Sequence, residues 1–498
     1  MERTPLLLSS ASSKQTIPSP VLHTFPDQHD SPLHYRALAL LCALFLAIGS
    51  HFAAHTLGAL KVDLKENLGI SNSEFGVLQS CVSMVNSFIP IVGGVLLDRF
   101  GTSSGSLTTT SLIATGSLIT ALATNLRSFQ LMIVGRIMYG LGSGTIVIVQ
   151  EIILCQWFSG KSLSFVFGIM ISISRLASFL ANLTVVPIKN YTGRYEYSFW
   201  FSAAICVICF LLNAAYILYI PSHSHGYRPI SLKRRVNSFS LTGLRFLPFA
   251  FWLIIILEFL LGGLWTSILH NATEMVQFRF GSSQEIAAYE ASVGQALPVM
   301  IAPFLGTWLD RYGGRIKALL LTAITLLVSQ LLLGFASLTP IVGMFFFSIS
   351  LSLGPVALTT SIPILLARKA SLLGTAFGLI KAANNIGATI CDICAGMLQD
   401  GTQGGKSYDR VFAAFIVLAG VATFVTLVLW GVDWRWGKSI LEVDGKKAAM
   451  LLEDEAEVEE DAEWKGSRWN YVGIGLLAGL MVLSWYLFMK FTLKGIFS

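Results

Sequence analysis

The residues of this chain best placed to do chemistry are ionisable side chains inside long apolar stretches. Each such group costs roughly 3 kcal/mol at bilayer depth on insertion scales, so each needs a reason to be there. Arg175 stands in Phe167-Gly-Ile-Met-Ile-Ser-Ile-Ser-Arg175-Leu-Ala-Ser178, with no acidic residue on its own stretch to neutralise it. A guanidinium so placed can grip a carboxylate with two parallel hydrogen bonds. A buried structural ion pair is the alternative. Glu258 and Lys381 lie in two other apolar stretches, each about ten residues from an end. They could neutralise each other, or Glu258 could hold a substrate ammonium or a proton. His51 and His55 are four apart, so they share one helical face. Imidazole titrates near pH 6–7 and could respond to an acidic compartment, or simply line a cavity. Arg136, in Val134-Gly-Arg136-Ile-Met-Tyr-Gly-Leu-Gly142, could cap buried carbonyls or take part in coupling. Asn384, Asn385 and Asp392 add polarity near Lys381. The asparagines suit helix-to-helix hydrogen bonds. Two close cysteine pairs, Cys206-x-x-Cys209 and Cys391-x-x-Cys394, sit one helical turn apart in apolar surroundings and read as packing residues.

The elements that must position these groups are membrane helices. The chain has 498 residues, 54% hydrophobic and 12% charged, with a mean hydropathy of +0.68. A soluble domain carries about twice that charged fraction. A span needs about twenty apolar residues, and the pattern predicts spans near 36–60, 74–97, 104–124, 129–155, 162–186 and 197–220, then 247–270, 285–309, 316–337, 340–366, 371–398 and 409–432. A thirteenth follows at 470–492. The net charge of +6 is spread along the chain, and nothing suggests nucleic acid. No Walker motif or other nucleotide site is evident, and no cofactor or metal is expected.

Lys and Arg are biased toward the loops after the second, fourth, sixth, eighth and tenth spans, which assigns those loops and the N-terminus to the cytosol. Arg175 then lies about 20 Å in from the cytosolic end of the fifth span, slightly past the midplane. Glu258 and Lys381 fall near the midplane. Sequons at Asn190-Tyr-Thr192 and Asn271-Ala-Thr273 fall on the other side and are candidate glycosylation sites. The resulting organisation is a disordered cytosolic tail (1–35), a six-helix bundle (36–220), a cytosolic linker (221–246), a second six-helix bundle (247–432), an acidic cytosolic linker (433–469) and the extra helix (470–492). In the tail, Glu2-Arg-Thr-Pro-Leu6-Leu7 fits the acidic dileucine pattern that sorting adaptors read.

The two bundles rhyme. Gly94-Val-Leu-Leu-Asp98-Arg99-Phe-Gly101 and Gly306-Thr-Trp-Leu-Asp310-Arg311-Tyr-Gly313 both read G-x-x-x-D-R-x-G, and each follows the second helix of its half. This duplication resembles the major facilitator superfamily of secondary transporters. It implies an all-α polytopic membrane protein of two pseudo-symmetric six-helix bundles, with a cavity between them. Alternating access would follow, with Asp98, Arg99, Asp310 and Arg311 closing the cytosolic side and Glu151 pairing with Arg99. Such a protein is not an enzyme.

Several stretches are similar to one branch of that superfamily, the lysosomal dipeptide transporters. They are Gly49-Ser50, Trp157-Phe158 with Gly160-Lys161, Val166-Phe167-Gly168 with Arg175 beyond, Phe280-Gly281-Ser-Ser-Gln284, and Leu373-Gly-Thr-Ala-Phe377-Gly378 leading to Asn385-x-Gly387 and Ala395-Gly396-Met397. The resemblance implies dipeptide export from a lysosome or vacuole, with Arg175 at the binding site and Glu258, Lys381, Arg136 and His55 as further substrate contacts. The chain also departs from the branch. Where an acidic residue is expected in the fourth span there is Gly144, a glutamine position holds Lys381, and a first-span acid is His55. An organic anion or monocarboxylate substrate, a plasma-membrane location and a nontransporting receptor or scaffold remain open readings. The expected partners are a small-molecule substrate, protons as a candidate co-substrate, the lipid bilayer and sorting adaptors. An accessory subunit stays open.

Overall fold

The computed structural model describes residues 33–90, 92–93, 102–157, 161–223, 247–366, 373–401, 408–436, 439–443 and 468–497. Among them the N-terminal bundle runs α1 (Leu33–Ala59), α2 (Lys61–Leu68), α3 (Asn72–Val85), α4 (Thr102–Leu126), α5 (Phe129–Trp157), α6 (Lys161–Thr192) and α7 (Glu196–His223). The C-terminal bundle runs α8 (Phe249–Leu257), a π-helical turn (Glu258–Gly262), α9 (Gly263–Phe280), α10 (Gln284–Ser292), α11 (Ala296–Tyr312), α12 (Arg315–Phe335), α13 (Pro340–Leu365), α14 (Leu373–Asp400) and α15 (Asp409–Trp436). The extra helix is α16 (Arg468–Phe497). No strand occurs among the described residues.

Ten of the described helices are long and apolar enough to cross a membrane. Three predicted spans fall outside that set, each for a local reason. The second is interrupted by a turn at 86–88. The eighth is not one helix, because a 3₁₀ turn at Val293–Gln295 separates α10 from α11. The eleventh, in α14, carries Lys381, Asn384, Asn385 and Asp392.

The apolar cores follow the two halves. One gathers residues from α8 to α15 and the segment after it. The others gather α1 to α7, with small contributions from Ala288, Ile393 and α16. Between the halves, α1 packs on α9, α3 on α14 and α6 on α11. Close backbone approach at two of these crossings requires glycine. A Cβ on Gly76 would come within 2.8 Å of the Asp392 carbonyl oxygen, and one on Gly58 would overlap the backbone of His270.

α16 touches both halves, packing on α3, α5, α8 and α14. The Trp252 indole donates to Asn470 Oδ1 at 2.7 Å, and Trp469 stacks near Phe249. Further along, Trp485 meets Phe88, and Phe488 and Phe491 are buried in the N-terminal core.

The linker predicted at 433–469 is not wholly a free tether. Residues 439–443 turn back onto the loop between α11 and α12. Gly314 and Arg315 donate their amides to the carbonyls of Glu442 and Leu441 at 3.0 and 3.2 Å. Gly313 adopts φ 71° there, and Arg315, 1% exposed, donates to the Val443 carbonyl at 3.1 Å.

Candidate substrate cavity and closed gate

Arg175 projects from the middle of α6 and is half-buried. Among the described residues it makes no hydrogen bond or ion pair. His51 and His55 of α1 are half-buried as well, and His55 Nδ1 is a buried atom with no partner among those residues. The charges of Arg175 and Lys381 both act on His51, which brings one cation from each half to the same region.

In the other half, a backbone irregularity positions Glu258. The π-helical turn at Glu258–Gly262 shifts the register of the seventh span, a feature frequent at functional sites. It presses this backbone against α14, where a Cβ on Gly263 would lie 2.7 Å from the Gly387 carbonyl carbon. That contact brings Asn384 Nδ2 to 2.9 Å from Glu258 Oε1. Glu258 is 7% exposed. Lys381 is exposed and forms no ion pair with Glu258 or with any other described residue. The two groups are thus not in direct ion-pair contact, and both readings of Glu258 stay open. Asn385, one turn on from Lys381, donates to the Asn86 carbonyl of the other half at 3.3 Å, so this face of α14 looks across the interface.

Arg136 is buried more deeply than Arg175. It is 4% exposed, points Nε at the Leu78 carbonyl at 3.4 Å and lies over the Tyr139 ring at 5.2 Å. Tyr139 in turn donates to the Ser50 carbonyl at 2.5 Å. This geometry fits the carbonyl-capping reading of Arg136.

The closed side of the molecule is the one that sequence reading missed. Lys61, 1% exposed, sits 2.6 Å from Glu274 Oε2, also 1% exposed. Its ammonium also donates to Gln399 Oε1 at 2.8 Å, Asn271 Oδ1 at 2.9 Å and the Tyr408 oxygen at 3.2 Å. Glu274 further accepts from Lys65 at 3.1 Å, Gln399 at 3.1 Å and the Tyr408 hydroxyl. Burial and the Glu274 carboxylate push the Tyr408 phenol well above its ordinary pKa, so it stays a donor. Burial pulls Lys61 below its ordinary pKa, and the Glu274 charge works against that shift.

Around this latch, Lys189 bridges to Asp63 at 2.7 Å and to Gln284 at 2.6 Å. Asp400 accepts from the Asn72 and Ser73 amides at 3.0 and 2.9 Å and from the Ser73 hydroxyl. Lys61 and Lys65 with Glu274, Lys61 with Asn271, Gln399 and Tyr408, Lys189 with Gln284, and Asp400 with Asn72 and Ser73 join the halves on the face that the charge pattern assigns to the non-cytosolic side. Below them His270 pairs with Asp392 at 2.9 Å. Lys61, Lys65, Lys189 and Arg194 read in the sequence only as loop charges. No spacing rule pairs residue 61 with residue 274.

The two sequons differ in exposure. Asn271 is 4% exposed, donates to the Ser267 carbonyl at 2.8 Å and accepts from Lys61, so it offers no surface to a glycan. Asn190 is exposed, with its amide 2.7 Å from Glu285 Oε2. Of the expected cytosolic gate, Asp98 and Arg99 lie outside the described residues, as do the side chains of Glu151 and Asp310. Arg311 is exposed, its guanidinium 5.8 Å from the Tyr312 ring. Glu2, Leu6 and Leu7 also lie outside the described residues.

Comparison with known proteins agrees with this architecture. The family model described as Major Facilitator Superfamily matches residues 40–391. The chain is 24% identical over 436 residues to the lysosomal dipeptide transporter MFSD1 of Bos taurus, covering 85% of this chain and 92% of that one. Among solved structures, a mutant form of the nucleoside transporter NupG superposes with a TM-score of 0.64 at 14% identity, over 79% of this chain and 99% of that one. A bacterial homologue of the human drug peptide transporters PepT1 and PepT2 gives 0.60 at 14% identity, over 80% and 99%. At such identity the structural likeness speaks for the fold alone.

Proposed function

This chain belongs to the Major Facilitator Superfamily and is a membrane transporter; we propose that it works by alternating access and carries dipeptides or related zwitterions across a lysosomal or vacuolar membrane. The observation that carries this reading is the guanidinium of Arg175, which makes no hydrogen bond or ion pair among the described residues, with the carboxylate of Glu258 in the other half held by the Asn384 amide. The first can grip a carboxylate and the second an ammonium, so a zwitterion would draw the two halves together. Alternating access is supported by the latch at Lys61 and Glu274, a buried ion pair that joins the two halves on one face. Dipeptides and the organelle are supported by the relative named a lysosomal dipeptide transporter, and the organelle also by the dileucine pattern at Leu6 and Leu7.

The test is uptake by the full chain in proteoliposomes, screened with dipeptides, amino acids and monocarboxylates. Arg175→Lys keeps the charge and loses the planar fork, and should cut dipeptide transport severely with folding intact. Parent-rate transport by Arg175→Lys would return Arg175 to a structural role. A second reading, an organic anion without an amine, is favoured by Arg175, a cation with no ionic partner among the described residues. Glu258→Gln separates the two, because a zwitterion needs that carboxylate and a simple anion does not.

A further inference from the structure

The last helix is shared between the two halves, and the sharing is divided along its length. α16 buries one stripe at helical spacing, from Asn470 to Phe491, while Tyr471, Val472, Val482 and Tyr486 point outward. The first part of the stripe belongs to the C-terminal half. Asn470 accepts from the Trp252 indole of α8 at 2.7 Å. Gly473 makes room for that ring, because a Cβ there would overlap it, and Ile474 and Leu477 pack on the C-terminal core. The second part belongs to the N-terminal half. Trp485 meets Phe88 with ring centroids 5.9 Å apart, and Phe488 and Phe491 enter the core that holds Phe75 and Leu78 of α3. The changeover falls between Leu477 and Trp485, at mid-helix.

α16 also packs on both α3 and α14. These are the helices that Asp400 joins to the Asn72 and Ser73 amides on the sealed face. Opening that face moves α3 away from α14. An α-helix holds its own backbone bonds and keeps its length, so α16 cannot follow both partners. One end has to give up its contacts. In a bilayer the cost of letting go is lost packing and a lost hydrogen bond, since acyl chains are as apolar as the core.

We propose, on the alternating-access reading above, that α16 is a staple built into the chain, pinned to the C-terminal half at its start and to the N-terminal half at its end. It stabilises the closed face and releases one end each time that face opens.

The test uses full-length variants in liposomes with nitroxide labels at Tyr191 and Ile286, exposed positions on the two halves, and reads the ratio of long to short distances by pulsed EPR. Gly473→Leu drives a side chain into the Trp252 ring and frees the first end. The pair Phe488→Ala and Phe491→Ala frees the second. Each should raise the ratio about threefold or more, the scale of one interhelical contact in a membrane. Combining them should add little, because a staple with one end free no longer holds, whereas independent packing losses would multiply. Trp252→Phe removes the indole donor, leaves α16 intact and should act in the same direction as Gly473→Leu, which keeps the first end testable if Gly473→Leu does not fold. Val482→Ala, at a position 70% exposed on the outer face, should change nothing. An unchanged ratio in the folded anchor variants, or multiplying effects in the combination, would overturn the staple; a long distance in Glu274→Gln, which breaks the latch, would still leave alternating access standing. No long distance in any variant, Glu274→Gln included, would overturn both.

Discussion

Glu274→Gln should unlock the sealed face. The substitution keeps the shape and some hydrogen bonding but leaves Lys61 charged, 1% exposed and without its carboxylate 2.6 Å away. Removing one partner of a buried pair costs about 3–5 kcal/mol, because an uncompensated charge is left in a dry site. Lys65, the other amine on Glu274, is 22% exposed and can turn to solvent, so it adds little. Opening the face hydrates Lys61 and relieves the penalty, so the cost falls on the closed state. At about 3 kcal/mol the closed-to-open ratio drops more than a hundredfold, since every 1.4 kcal/mol is a factor of ten. A population closed about 99 to 1 would become roughly even. Nitroxide labels at Tyr191 and Ile286, exposed rim positions on the two halves, would report the change as a second, longer distance in pulsed EPR. Adding Lys61→Met removes the stranded charge and should restore much of the short distance, which a general loss of packing would not do. An unchanged distance distribution in folded Glu274→Gln would refute the latch.

Three further outcomes follow from the same geometry. Gly76→Leu cannot fit against the Asp392 carbonyl, so α3 and α14 must part, and the same spin-label pair should lengthen. Asn190→Gln should abolish any N-glycan carried on this face, measured as loss of the mobility shift on deglycosylation, whereas Asn271→Gln should leave that shift unchanged. Arg136→Lys should destabilise the fold by about 1–3 kcal/mol through its buried carbonyl contact, read as a lower unfolding temperature, while Arg175→Lys leaves that temperature unchanged.

Much of the architecture was legible because a bilayer makes sequence speak plainly. Backbone groups must be satisfied within each segment, so apolar runs of about twenty residues become helices. The thirteenth helix and the six-plus-six division could be read this way, and the duplicated G-x-x-x-D-R-x-G turn tied the halves together. Arg175 stood out because a lone cation at depth is expensive wherever it sits. The break inside the eighth span gave no such signal, and neither did the π-helical turn at Glu258. Both are register shifts set by neighbouring helices, and hydropathy averages over them.

What the sequence determined by itself is therefore the set of helices, their pairing into halves and the identity of the costly charges. The tertiary structure decided which of those charges are free. It gave Arg136 a carbonyl and a ring, gave Glu258 the Asn384 amide, and buried Asn271 in a latch with Lys61, Glu274, Gln399 and Tyr408. It also folded residues 439–443 back onto the second turn of the repeat. The physical reason is range. Helix formation is decided by contacts three and four residues away, whereas an ion pair between residues 61 and 274 exists only after two bundles have met face to face.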